Sequence, residues 1–248
     1  MNLPPPHWPP RGWNSFDSFG AVADERAILD NLDVLVERLL PHGYDTHVLD
    51  IGWYRRYHRE PGQRFPQVSE ATLLGHELDD FGRYLPCPTM FPNGIKPLAD
   101  ACHERGVHFG IHLMRGIPRV AVERDLPISG AEGLRASDIA DTSDVCPWCD
   151  DNFGVDMRRP GAQAYYDSVF RLLAEWGVDY VKVDDIVPYP REIRAVADAI
   201  ARCGRPMRLS LSPGDLTCVA HLPDYRRANA LRVTADVWDR RNDLAKGL

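Results

Sequence analysis

The sequence predicts an α/β fold, a (β/α)8 barrel domain occupying residues 1–248 with about six βα units present. Three observations carry that reading. Short apolar, strand-like runs alternate with stretches of helical periodicity from end to end, with no linker or low-complexity block between them. The helix-to-strand joints are brief ("HGYDT", "RGV", "WGVD"), whereas the strand-to-helix joints around 54–92 and 115–159 are long. Such elaboration on one face is what a barrel does at the C-terminal ends of its strands, where its active site is built. A doubly wound open sheet would place a ligand similarly, but no glycine-rich phosphate fingerprint follows the first strand: "RGWNSFDSFG" has the wrong spacing.

Strands are expected near 11–16, 46–53, 107–114, 179–186, 207–213 and 231–238. Between the first two, "ERAILDNLDVLVERLL" sets Ile28, Leu32, Leu35 and Leu39 on one helical stripe. Before the fourth, "GAQAYYDSVFRLLAEWG" does the same with Tyr165, Val169, Leu172 and Trp176. Pro160 and Pro190 stand where first-turn prolines belong, and Gly43, Gly106, Gly177 and Gly204 stand where helices stop. Six strands fall short of the eight that close a barrel, so the domain is expected to be incomplete at its C-terminus.

Composition narrows the function classes. With 44% apolar and 26% charged residues, the 248-residue chain can bury a large core. A net charge of −7 with scattered Lys and Arg argues against nucleic acid and favours a small-molecule or oligosaccharide substrate. No run of eighteen apolar residues exists for a membrane span, and the opening "MNLPPPHWPPRGW" has no leader pattern. Six irregularly spaced cysteines point to reduced thiols and a cytoplasmic location. "CPWC" (Cys146, Cys149) has zinc-like spacing but no second ligand pair, so no metal is expected.

The chemistry lies in polar residues at strand ends: Asn14 and Asp17; Asp50; His112; Lys182, Asp184 and Asp185; Ser210 and Ser212; Arg232 and Asp236. In "YVKVDDI", strand alternation puts Lys182 and Asp184 on one side and Asp185 on the other or in the loop. The same parity sets Arg232 with Asp236 in "LRVTADVWD". Two carboxylates at the ends of the fourth and sixth strands fit glycoside hydrolysis, one attacking the anomeric carbon and the other protonating the leaving oxygen. Trp13, Phe16, Trp53, Trp148 and Trp238 near the mouth suit the apolar face of a sugar. Spacing alone fits equally well acids that cap helices or bind arginines.

Five ordered stretches, "RGWNSFDSFG", "VLDIGWY", "FPNGIKPLADACHERGVHFGIHLMRG", "WGVDYVKVDDI" and "LRVTADVWD", resemble the successive strand motifs of glycoside hydrolase family 27, the α-galactosidase (melibiase) family, from about Arg11 to Asp243. The resemblance implies a retaining (β/α)8 barrel followed by a C-terminal β-sandwich, for which this chain has no sequence, and an exo-acting enzyme that needs no cofactor. It assigns the nucleophile to Asp184 and the general acid/base to Asp236. Lys182 matches a lysine that contacts the sugar and holds the nucleophile, Arg232 an arginine near the acid/base, and Asp50 the first of two consecutive aspartates on distal hydroxyls. Cys146 is set against a pocket cysteine of the long loop before the third helix. Ser212 stands where many members have a glutamate on the 2-hydroxyl, His112 where many have tyrosine, and Phe16 where tryptophan is usual.

Ile51 is the departure that bears on substrate, because it replaces the second aspartate of the family's pair. A galactose hydroxyl buried against isoleucine goes unpaired, at about 1–3 kcal/mol. β-L-Arabinopyranose has galactose's ring stereochemistry without the hydroxymethyl arm, and β-L-arabinopyranosidases occur within the resembled family. The expectation is therefore an α-galactosidase-type hydrolase, with β-L-arabinopyranosidase as the alternative and Ile51 as plain core packing the simplest account of that residue. Two other classes stay open: a catalytically incomplete sugar-binding remnant, and a metal-dependent barrel hydrolase for which only His112 and Asp50 come near qualifying.

Overall fold

The computed structural model describes residues 10–58, 72–213, 217–234 and 236. Its centre is a parallel sheet in strict sequence order: β1 (Gly12–Asn14), β2 (Thr46–Leu49), β3 (His108–Met114), β4 (Tyr180–Asp184), β5 (Arg208–Leu211) and β6 (Ala230–Leu231). The sheet curls as an incomplete (β/α) barrel. All seven residues of β3 are buried, as expected of a strand covered on both faces.

Register sets the two faces. His112 pairs with Lys182, Met114 with Asp184 and Ser210 with Lys182, so their side chains share the inner face. The alternate residues face the helices: His47 Nε2 lies 3.0 Å from the Ile28 carbonyl of helix α1 (Glu25–Val34). Ile28, Leu32 and Leu35 are buried as the periodicity predicts, and a π-helical turn over Leu35–Leu39 ends that stretch.

Helices α2 (Lys96–Glu104), α3 (Ala162–Glu175) and α4 (Pro190–Arg202) complete the units. Pro190 is the first residue of α4 as expected, but α3 starts after Gly161, which leaves Pro160 outside it. The buried stripe of α3 runs through Tyr166, Phe170 and Leu173 beside Tyr165, while the predicted Val169, Leu172 and Trp176 are half-buried at its edge. The helix sits between a sheet and α4, so it buries a wider arc than a one-face pattern assumes. Gly43, Gly106, Gly177 and Gly204 all hold φ between +76° and +84°, the left-handed turn that ends a helix.

The long strand-to-helix segments carry structure of their own. One contains a hairpin of Arg55–Tyr57 with Leu73–His76, and the other a small sheet in which Asn152–Val155 pairs with both Ile117–Pro118 and Ala140–Val145. The expected strand over 231–238 is cut short, since β6 ends at Leu231, and Trp238 lies outside the described residues.

Candidate active site

Asp184 closes β4 and is buried, yet its two carboxylate oxygens have different surroundings. Oδ2 lies 3.0 Å from His112 Nε2 and 3.2 Å from Lys182 Nζ. Oδ1 is buried with no hydrogen-bond partner, as is Ser212 Oγ, which is close enough to help lower the carboxyl without forming a well-shaped bond. Burial works against ionisation, but the His112 ring and the Lys182 ammonium outweigh it and hold Asp184 well below the usual carboxylate range.

Lys182 links this carboxylate to a second one. Its ammonium donates to Asp50 Oδ2 at 3.0 Å, and Asn14 Nδ2 donates to the same oxygen at 2.6 Å. Asp50 Oδ1 accepts from the Ile51 amide, and the Asp50 amide donates to Ser15 Oγ. Burial again opposes the charge, and His112, Lys182 and these donors keep Asp50 below its ordinary value. Burial also opposes the Lys182 ammonium, which Asp184 and Asp50 hold above the normal lysine range. Parity is the physical reason for the cluster: Asn14, Asp50, His112, Lys182, Asp184 and Ser212 converge from the ends of five neighbouring strands.

Asp185 turns the other way. It has φ +61°, and Arg115, just past β3, grips both its carbonyl (2.9 Å) and its Oδ2 (2.8 Å). The same buried guanidinium forks onto Asp144 at 2.8 and 2.9 Å, reaches Glu192 at 2.8 Å, and lies 3.4 Å from the centre of the Tyr189 ring. Through its own amide, Arg115 also donates to the Asp184 carbonyl at 3.0 Å. Sequence reasoning passed over Arg115, although it stands at a strand end like the residues that were selected. Asp144 and Glu192 gave no signal, because their pairing exists only after folding. Burial pushes the Cys146 thiol up to about 11, and the nearby negative charge of Asp185 adds to the rise. Cys149 takes an Arg55 hydrogen bond at 3.1 Å, and Arg55 in turn grips Asp151 at 2.6 Å. Among the described residues, no group of three His, Cys, Asp or Glu could hold a metal ion.

Several expected residues sit elsewhere. Ile51 is buried and continuous with the hydrophobic core. Gly52 follows with φ +100°, and a Cβ there would come within 2.1 Å of the Ala21 carbonyl oxygen, so the turn after β2 requires glycine. Trp53 is no mouth aromatic: it is 1% exposed, meets Trp176 edge-on, and donates its indole N–H to the His112 carbonyl at 2.9 Å. Trp13 stacks on His47 and so packs away from the inner face. Phe16 is partly buried at the start of a short helix, its amide donating to Asn14 Oδ1 at 2.8 Å. The parity reading for Arg232 and Asp236 does not apply beyond Leu231; the two pair as neighbours four residues apart, Asp236 is largely exposed, and Arg232 is its one partner among the described residues.

The comparisons bear on this geometry. No family model matches the chain. A GH27 β-L-arabinopyranosidase from Geobacillus stearothermophilus is 44% identical, with a TM-score of 0.85 over 96% of this chain and 56% of that one. A variant of that enzyme in complex with arabinose matches at 44% identity and a TM-score of 0.83, over 94% of this chain and 55% of that one. An α-galactosidase from Schizosaccharomyces pombe is 26% identical over 242 residues, covering 93% of this chain and 42% of its own length. The chain thus spans about half the length of the relatives it matches. Similarity that runs through nearly all of these strands, and a sheet that superposes on a GH27 barrel, place the chain in glycoside hydrolase family 27.

Proposed function

We propose that this chain carries the catalytic pair of a retaining exo-glycosidase, with Asp184 as the nucleophile and Asp236 as the general acid/base. The observation that carries the proposal is the asymmetry of Asp184: one oxygen is clamped by His112 and Lys182, while the other is buried and unpartnered beside Ser212. A carboxylate kept ionised with one oxygen uncommitted suits attack on an anomeric carbon. In the first step Asp184 forms an ester to that carbon as the glycosidic bond breaks, and Asp236 gives its proton to the leaving oxygen. In the second, Asp236 takes a proton from water, whose oxygen displaces Asp184.

Asp50 and Lys182 would hold distal hydroxyls, since both retain charge at the inner face. Ser212 would meet the 2-hydroxyl, with His112, Phe16 and Cys146 shaping the pocket and Arg232 orienting Asp236. For the sugar, Ile51 in place of a second acceptor and 44% identity to a β-L-arabinopyranosidase favour β-L-arabinopyranosides. α-D-Galactosides are the second reading, supported by curated relatives that are α-galactosidases. Nitrophenyl derivatives of both sugars, assayed with the full-length protein, test the proposal. Asp184→Ala is expected to lower turnover by about 10³-fold or more, and undiminished turnover in that variant refutes the assignment.

A further inference from the structure

The backbone that follows Asp184 is held more tightly than a strand end requires. Asp185 turns at φ +61°, in the left-handed region that residues other than glycine, asparagine and aspartate rarely adopt. Such a conformation persists only where its surroundings over-determine it, and it clusters at sites of function. Here the surroundings come from both neighbouring strands. On the β5 side, the Ser212 amide donates to the Val183 carbonyl at 3.1 Å, and the Ile186 amide donates to the Ser212 carbonyl at 3.2 Å. On the β3 side, one residue takes two carbonyls in succession: the Arg115 amide donates to that of Asp184 at 3.0 Å, and its Nε to that of Asp185 at 2.9 Å.

Arg115 is itself immobilised. Its side chain is buried, forked onto Asp144, bonded to Glu192 and stacked on Tyr189. Its carbonyl accepts Asn152 Nδ2 at 2.9 Å, and Asn152 Oδ1 in turn accepts the Tyr84 hydroxyl at 2.6 Å. Neutralising the buried acids would need only the guanidinium–carboxylate pairs. The bonds to successive backbone carbonyls, together with the 2.8 Å bond to Asp185 Oδ2, also fix the peptides that flank the base of the Asp184 side chain. His112 and Lys182 hold Oδ2 of that side chain, whereas Oδ1 has no hydrogen-bond partner. The direction of Oδ1 is therefore set in part by the turn beneath it.

We propose that Arg115 and Asp185 are a positioning couple for the nucleophile: the grip of the guanidinium on Asp185 fixes the left-handed turn that aims the unpartnered oxygen of Asp184 at the anomeric carbon. The inference rests on the glycosidase reading and adds two residues that act through Asp184. Misplacing a reacting atom by about 1 Å can cost about 100-fold in rate, so a loosened turn slows attack while the sugar's own contacts stay in place.

The test uses full-length protein and the nitrophenyl glycoside of whichever sugar the wild type cleaves. Asp185→Gly adopts the left-handed turn without strain and removes the carboxylate that Arg115 grips, whereas Asp185→Asn tolerates the same turn and keeps an acceptor. Each variant is read for kcat, for affinity toward the free monosaccharide, and for the rate at which the corresponding 2-deoxy-2-fluoroglycosyl fluoride traps Asp184 covalently. Asp185→Gly is expected to lower kcat and the trapping rate about tenfold or more, with sugar affinity within about twofold of wild type, and Asp185→Asn to keep most of both rates. Wild-type rates in Asp185→Gly, equal losses in the two variants, or a fall in sugar affinity matching the fall in kcat overturn the couple and leave the glycosidase reading standing. If the wild type cleaves neither nitrophenyl glycoside and the fluoride traps nothing, both readings fall together.

Discussion

Replacing Lys182 by methionine keeps the length of the side chain and removes the charge between two buried carboxylates. Lys182 Nζ is 3.0 Å from Asp50 and 3.2 Å from Asp184, and at an effective dielectric of 20 each attraction is worth about 5 kcal/mol before solvation is counted. The ammonium side chain is 23% exposed, so water replaces part of this. The predicted net loss at about pH 7 is therefore about 3–5 kcal/mol, the range for stranding a buried ionic partner. Its pH dependence separates this cause from simple misfit. In the wild type, Asp50 and Asp184 sit below their unfolded values, so their stabilisation is complete above the unfolded carboxylate pKa and is lost only as pH falls through the depressed folded values. The raised Lys182 contributes fully below the unfolded lysine pKa and loses its contribution as pH rises through the folded one. Without the ammonium, both carboxyls titrate higher and take up protons earlier on acidification. The deficit should then shrink between about pH 7 and pH 4.5, by about 1.4 kcal/mol for each unit by which a carboxyl of the variant titrates above pH 4.5. Urea unfolding of both proteins at the two pH values measures this. An equal deficit at both refutes the electrostatic account.

Three other perturbations follow from the same structure. Arg115→Met leaves Asp144, Asp185 and Glu192 facing one another, and is predicted to cost about 3–5 kcal/mol, or roughly 10 °C in Tm. Arg115→Lys should not rescue it, because an ammonium cannot reproduce the fork; a wild-type Tm in the lysine variant would sink that reasoning. Gly52→Ala drives a methyl into the Ala21 carbonyl at a left-handed φ, so little soluble folded protein is expected, and a well-folded circular dichroism spectrum would contradict it. Ile51→Asp is predicted to shift relative kcat/KM from arabinopyranoside toward galactoside by about tenfold or more; an unchanged ratio leaves Ile51 a packing residue.

Much of the fold was legible because it follows from period and punctuation. Alternation placed the first five strands within a few residues, and the helix-stopping glycines fell where left-handed turns occur. Parity together with the family motif separated Asp184 from Asp185, and Lys182 and Asp184 do meet at the inner face. The sixth strand failed because an apolar run, "LRVTADV", does not reveal where pairing stops, and the parity drawn from it lapsed at Leu231. Trp53 was misread because composition says that an aromatic is near a strand end and not which way its ring turns. Arg115 is not legible as a site residue, because a lone arginine after a strand carries no reactive-group pattern. Its role is to bind three carboxylates from distant segments, which no local pattern encodes.

The partners that keep Asp184 ionised come from different strands: His112 from β3, across from Lys182, and Lys182 from β4 itself, tethered to Asp50 beyond β2. A slip of one residue between β3 and β4 would send His112 to the helix side and leave the carboxyl with half its support. The ionisation of a single side chain therefore reports whether these two strands have paired in the native register. A chain trapped one step out of line would be a stable-looking sheet in which Asp184 keeps Lys182 but loses His112, so the carboxyl titrates higher than in the native alignment.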